Sequence, residues 1–207
     1  MKMYRFEETF IGIIIGFLCP FLCFIFLWWT SAALSKIISF PDTCVIIAAL
    51  SGLSLGIIID IFYLNYLKSR FYLINIKIAV LIYLFCSLVA VAFLMGLPFA
   101  NILLGILGGL YIGRKYHHIN KNNRKFENAS RKVSIFTAIV TGIEALLIGF
   151  IAIQQSEGVK VIHSILGISE STIAGTIGIL IICILSFIIM VIQYLCTRTA
   201  SKFAFKY

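Results

Sequence analysis

Residues 98–153 read PFANILLGILGGLYIG, then RKYHHINKNNRKFENASRK, then VSIFTAIVTGIEALLIGFIAI. The first and last parts, 98–113 and 133–153, are apolar, and about 20 apolar residues suffice to cross a membrane as a helix. The middle part, 114–132, contains seven Lys or Arg residues. Two apolar helices joined by a basic segment predict a transmembrane pair whose connection lies in the cytoplasm.

The same apolar pattern recurs four more times, near residues 9–29, 44–65, 76–95 and 173–196. The chain has 207 residues, of which 61% are hydrophobic and 12% charged, whereas a soluble domain has about 25% charged residues. The sequence therefore predicts an all-α integral membrane protein, a bundle of six transmembrane helices. The short connections leave no room for an extramembrane domain, so we expect a single polytopic domain over residues 1–207.

The positive charges predict the orientation of this bundle. If the N-terminus is cytoplasmic, 15 of the 17 Lys and Arg residues lie on the cytoplasmic side, and only Lys36 and Lys160 lie outside. The cytoplasmic set is Lys2, Arg5, Lys68, Arg70, Lys77, Arg114, Lys115, Lys121, Arg124, Lys125, Arg131, Lys132, Arg198, Lys202 and Lys206. Such an asymmetry predicts that both the N-terminus and the C-terminus are cytoplasmic.

The basic segment 114–132 is predicted to be a cytoplasmic loop that meets anionic lipid. A Lys or Arg near such a surface gains about 1 kcal/mol. The residues expected to contact lipid headgroups are Arg114, Lys115, Arg124, Lys125, Arg131 and Lys132. The net charge of +9 is explained by topology and lipid, so we predict no nucleic-acid partner.

Three polar residues interrupt the predicted helices: Glu144, Asp60 and Asn101. Glu144 is placed near the membrane midplane, where an ionised side chain costs about 2.5–3.5 kcal/mol, and no Lys, Arg or His is predicted at that depth. One interpretation is a neutral acid that hydrogen-bonds a backbone carbonyl, Thr141, Thr137 or Asn101. The other is a proton or cation site in a transport path that Asp60 and Asn101 also line.

Small residues recur at four-residue spacing on three of the predicted helices. They are Gly12 and Gly16, then Gly52 and Gly56, then Gly105, Gly109 and Gly113. Such stripes allow helix backbones to approach closely in lipid. They predict either tight internal packing or a docking face for another subunit, and the fourth helix is the best candidate for docking.

No motif indicates catalysis. Intramembrane hydrolysis requires paired groups, such as two aspartates or a Ser with a His, and the predicted helices offer single acids and no His. The six cysteines lie within or at the ends of predicted helices and form no C-x-x-C pair, which argues against a zinc site or a disulfide framework. We predict no cofactor and no metal, and an enzymatic function is not favoured.

These observations favour a small membrane transport protein or channel for an ion or small solute. The alternative is a non-catalytic membrane subunit or scaffold, for example a substrate-binding or assembly component of a larger transport complex. In size, helix number, charge and orientation the chain resembles the substrate-binding components of energy-coupling-factor vitamin transporters, although no binding motif matches residue by residue. That resemblance implies a docking face at Gly12 and Gly16.

The expected partners are the lipid bilayer and either further copies of the chain or a partner membrane subunit. The sequence is rich in Ile, Lys, Asn and Phe, which is typical of an AT-rich genome, and it shows no organelle-targeting segment. We therefore expect the cytoplasmic membrane of a bacterium or archaeon.

Overall fold

The computed structural model describes residues 5–38, 41–93, 99–119, 122–155, 159–160, 163–164, 167 and 176–206. Within these ranges there are six long α-helices and no strands. They are α1 (Arg5–Ile38), α2 (Asp42–Arg70), α3 (Ile76–Phe93), α4 (Phe99–Ile119), α5 (Asn123–Gln154) and α6 (Thr176–Lys206), with a 3₁₀ turn at Phe71–Leu73. The prediction of an all-α chain with six main helices is confirmed.

Five of the helices, α1, α2, α3, α5 and α6, are long and apolar enough to cross a membrane by length and composition. The fourth predicted span, now α4, does not reach that level. Asn101, several glycines and the terminal Arg114 and Lys115 lower its hydrophobicity. Five spans are therefore supported on these criteria, and the sixth stays a prediction together with the orientation of the termini.

The segment 114–132, predicted as a loop, is largely helical. Helix α4 continues to Ile119, and α5 begins at Asn123. The side chain of Asn122 caps α5 by accepting hydrogen bonds from the backbone N–H groups of Arg124 at 3.0 Å and Lys125 at 3.3 Å. Hydropathy marks where a chain leaves an apolar layer, but Lys and Arg are good helix formers, so the helices extend beyond it. The predicted ends at 94–95, 98 and 173–175 lie outside the described residues.

The chain forms two compact units, Met1–Leu73 and Ile74–Tyr207. In the first unit α1 packs against α2. A Cβ atom added at Gly52 would lie 2.5 Å from the carbonyl oxygen of Cys23, and one added at Gly56 would lie 2.8 Å from the backbone nitrogen of Pro20. The absence of a side chain at these two glycines therefore lets the two backbones approach closely. The single domain predicted for the whole chain stays a prediction.

The glycines of α1 behave differently from those of α2. A Cβ atom added at Gly12 would meet the flexible side chain of Lys68 at 3.1 Å, and at Gly16 it would meet nothing within 4 Å. The pair Gly12 and Gly16 is thus not packed against the backbone of α2. A docking role for it stays a prediction.

In the second unit α6 packs against α4 and α5, and α3 packs against α4. Helix α4 therefore has neighbours in α3, α5 and α6, which shields its polar and glycine-rich surface. A Cβ atom added at Gly109 would overlap the carbonyl oxygen of Thr197, and one added at Gly113 would lie 2.7 Å from the Cβ of Ala204. Atoms of α6 of the same chain thus lie over the glycine stripe of α4.

The distribution of polarity in α6 is the reverse of that in a soluble protein. Its buried side chains include Gln193, Thr197 and Ser201, while Phe187 and Leu195 are 60% and 55% exposed. Soluble proteins bury the aliphatic and aromatic residues and expose the polar ones. An apolar surface around a polar interior is what lipid tails as a solvent favour, because they compete for no hydrogen bonds.

Candidate functional site

A line of polar side chains runs through the helix interfaces of the second unit. We call it the polar seam and define it as Ser87 of α3, Asn101 of α4, Ser130, Ser134, Thr137, Thr141 and Glu144 of α5, and Gln193, Thr197 and Ser201 of α6. All are buried except Glu144, which is partly exposed. Intervals of three or four residues place the members from each long helix on one face. Residues 130 and 144 are roughly 21 Å apart along α5, at 1.5 Å per residue.

The carboxylate of Glu144 lies at one end of the seam and is held by two helices. Its Oε1 accepts a hydrogen bond from the Ser87 hydroxyl at 2.7 Å, and its Oε2 accepts one from the side-chain amide of Asn101. Asn101 is thus the one of the three side chains named in the neutral-acid interpretation that bonds the carboxylate in the described part of the chain; the protonation state of Glu144 stays a prediction. Among the described residues no Lys, Arg or His forms an ion pair with Glu144.

The seam continues from α4 into α6 through Gln193. The side-chain amide of Gln193 donates to the backbone carbonyl of Asn101 at 3.1 Å. Gln193 is 0% exposed and Asn101 1%. The amide lies directly over Gly105, where an added Cβ atom would come within 2.8 Å of both the Gln193 Cδ and the Thr197 hydroxyl. A glycine at position 105 therefore makes room for this connection.

Hydroxyl pairs link α5 to α6 along the rest of the seam. The hydroxyl oxygens of Thr137 and Thr197 are 3.0 Å apart, and the hydroxyl of Ser130 hydrogen-bonds that of Ser201. The hydroxyl of Ser134 donates to the carbonyl of Ser130 at 2.8 Å. These bonds satisfy buried polar groups, which is the usual requirement for keeping them away from water.

Four buried side-chain oxygens of the second unit have no hydrogen-bond partner in the part of the chain that the structure describes. They are Tyr83 Oη, Asn101 Oδ1, Thr141 Oγ1 and Gln193 Oε1. Tyr83 lies close to Thr141 and Glu144, and Thr141 is one helical turn before Glu144. Because buried polar atoms rarely lack a partner, this grouping is the most unusual feature of the second unit.

Asp60 belongs to the first unit. It is buried, and its carboxylate lies beside the thiol of Cys19. Of the three predicted path residues, Asn101 and Glu144 are therefore brought together, while Asp60 has its neighbours on α1. No group of three or more His, Cys, Asp or Glu residues suited to a metal occurs in the described ranges.

The six basic residues predicted to contact lipid differ in their surroundings. Arg124, Lys125, Arg131 and Lys132 are exposed, and Arg114 is partly exposed. The ammonium of Lys115 donates to the carbonyl of Ile74 at 2.7 Å, and partial burial lowers the pKa of Lys115. Contact with headgroups stays a prediction for all six.

The sequence did not single out Ser87, Gln193, Thr197 or Ser201. A usable signal existed for the last three, because Gln193, Thr197 and Ser201 are four residues apart in a largely apolar helix. Ser87 offered no such pattern.

No protein-family model, no curated protein and no solved structure matches this chain. The function is therefore argued from the geometry of the seam.

Proposed function

We propose that the chain is a small membrane transport protein or channel for an ion or a small solute. The observation that carries the proposal is the carboxylate of Glu144, held by Ser87 and Asn101 at one end of the polar seam. An ionisable group at membrane depth is costly and typically marks an ion or substrate path. The seam supplies side-chain oxygens in place of water along part of that path.

The proposed setting is the cytoplasmic membrane of a bacterium or archaeon, with six transmembrane helices and both termini inside. Five helices that are long and apolar enough to cross a membrane support the membrane location. Helix α4 is the weakest candidate span. Its contacts with α3, α5 and α6 would shield its polar residues from lipid. The exposed Ile, Leu and Phe side chains of the other helices would face lipid.

Flux measurements on purified protein in liposomes test this proposal. Proton and monovalent-cation gradients are imposed in separate experiments, with a trapped pH-sensitive dye or radioactive cation as the readout. We expect Glu144→Gln to reduce flux to the rate of protein-free liposomes, because the amide is nearly isosteric but carries no charge to balance a cation and no proton to release. Size-exclusion chromatography and the helical signal in the circular-dichroism spectrum check that each variant is folded.

The matched control is Glu127→Gln on the same helix. Glu127 is exposed and pairs with Arg198 at 2.8 Å, so it lies outside the seam and its loss should leave flux intact. Wild-type flux in folded Glu144→Gln would contradict a transport role for this carboxylate. Absence of any flux from wild-type protein, with a foreign membrane subunit co-purifying in fixed ratio, would favour the docking-subunit alternative.

A further inference from the structure

We infer that Glu144 and the unpartnered oxygens around it bind a hard monovalent cation, for which Na⁺ is the reference species. The inference deepens the proposed function, on which it rests for the view that this ion is the one moved.

The hydrogen bonds of Glu144 are compatible with an ionised carboxylate, which is the form that the inferred site requires. Both of its oxygens accept, one from the Ser87 hydroxyl and one from the Asn101 amide. A carboxylate accepts at both oxygens when it is charged, whereas a neutral acid also donates, and hydrogen bonds to the charged form favour that form.

An ionised Glu144 requires a positive partner that the described residues do not supply. No Lys, Arg or His among them pairs with it. A charge removed from water is strongly unfavourable unless it is paired. A monovalent cation neutralises one carboxylate, whereas a divalent cation would leave a net charge in a low-dielectric interior. The charge balance therefore favours a monovalent ion.

The remaining ligands have the chemistry that such an ion prefers. Tyr83 Oη, Asn101 Oδ1 and Thr141 Oγ1 belong to residues beside Glu144, and none of them has a hydrogen-bond partner within the described ranges. Carboxylate, carbonyl and hydroxyl oxygens suit hard cations, whereas soft metals select thiolate and imidazole. Asn101 Oδ1 is an amide carbonyl oxygen, which only accepts, so what is missing beside it is a hydrogen-bond donor or a cation.

Direct binding of radioactive Na⁺ to the purified full chain in lipid nanodiscs tests the site. We expect saturable binding that is competed by Li⁺ but not by N-methylglucamine, which is too large for a site built from contacting side chains. Glu144→Gln should reduce binding to background, and Thr141→Val should weaken it by removing one oxygen at nearly constant volume. Thr199→Val is the matched control, because Thr199 is exposed and its hydroxyl bonds the Leu195 carbonyl of its own helix.

Folded wild-type protein without saturable Na⁺ binding would overturn the inference, as would equal binding by Glu144→Gln and wild type. If Glu144→Gln does not fold, unchanged binding by folded Thr141→Val would overturn it instead. Failure here is distinguishable from failure of the proposed function. Glu144-dependent proton flux without Na⁺ binding would refute the cation site alone, whereas Na⁺ binding without any flux would support the site and refute transport.

Discussion

Replacing Gly109 by alanine is expected to destabilise the second unit by about 2–3 kcal/mol, the usual scale for a group forced into a packed interface. The added Cβ atom would overlap the carbonyl oxygen of Thr197 and lie 3.2 Å from the backbone nitrogen of Ser201. Both neighbours are backbone atoms of α6 and cannot rotate away. The two helices must therefore move apart, which weakens their contact along the stripe.

The adjacent Gly108 provides a matched control, because a Cβ atom added there would meet nothing within 4 Å. Gly108→Ala should leave stability unchanged or raise it, since alanine is better than glycine in a helix interior by about 0.8–1.0 kcal/mol. Reversible unfolding in mild detergent or bicelles, followed by circular dichroism, measures both variants. Equal stabilities for the two would show that α4 and α6 are not in backbone contact at Gly109.

Replacing Gly105 by alanine is expected to cost about 1–3 kcal/mol for a different reason, the loss of a hydrogen bond to a buried group. The new methyl group would occupy the space of the Gln193 side chain, whose amide donates to the Asn101 carbonyl at 3.1 Å. The displaced amide has no exposed surface, because Gln193 is 0% exposed. It would lose its partner without gaining water.

A double-mutant cycle with Gln193→Ala isolates this contact. The short alanine at 193 removes the group that the methyl at 105 displaces, so the double variant should be more stable than the sum of the two single effects predicts. Coupling energies between contacting residues are about 0.5–3 kcal/mol. Rescue will be incomplete, because the Thr197 hydroxyl also lies 2.8 Å from the added Cβ. Strictly additive effects would mean that Gln193 does not lie over Gly105.

The main helices were predictable because long apolar runs are unmistakable in composition, but their ends were not. Residues 114–132 are polar enough to lie outside lipid, yet α4 continues to Ile119 and α5 begins at Asn123. Helix α4 shows that an apolar run in the sequence does not by itself establish a membrane span. Its apolar run was long enough to be assigned as a span, although the described helix, which includes Asn101, Arg114 and Lys115, is not among those apolar enough to count as one.

Glu144 was predictable as a site residue, because an acid stands out within an apolar helix, and Asn101 was among its expected partners. Ser87 was not predictable, since serines in apolar helices commonly bond their own backbone, as Ser51 and Ser54 do in α2. Residue type alone cannot separate these cases from a bond between helices. The pairing of Ser87 with Glu144 joins residues 57 positions apart and depends on packing.

The glycines illustrate the same limit. Gly52 and Gly109 fit closely against neighbouring backbones, while Gly16 meets nothing within 4 Å, although the four-residue spacing is similar in all three helices. Spacing indicates a face on which another helix can approach. Which helix occupies that face depends on the packing of the whole chain.

The outward-facing apolar side chains of α6 have a consequence for heat capacity. Unfolding in water raises heat capacity by about 12–15 cal/mol/K per residue, because apolar surface becomes hydrated. In a bilayer, Phe187 and Leu195, which are 60% and 55% exposed, would contact lipid tails whether the helices are packed or apart. Their hydration would hardly change on unfolding. The stability of the helix bundle in a bilayer would then vary almost linearly with temperature, and cooling alone would not unfold it.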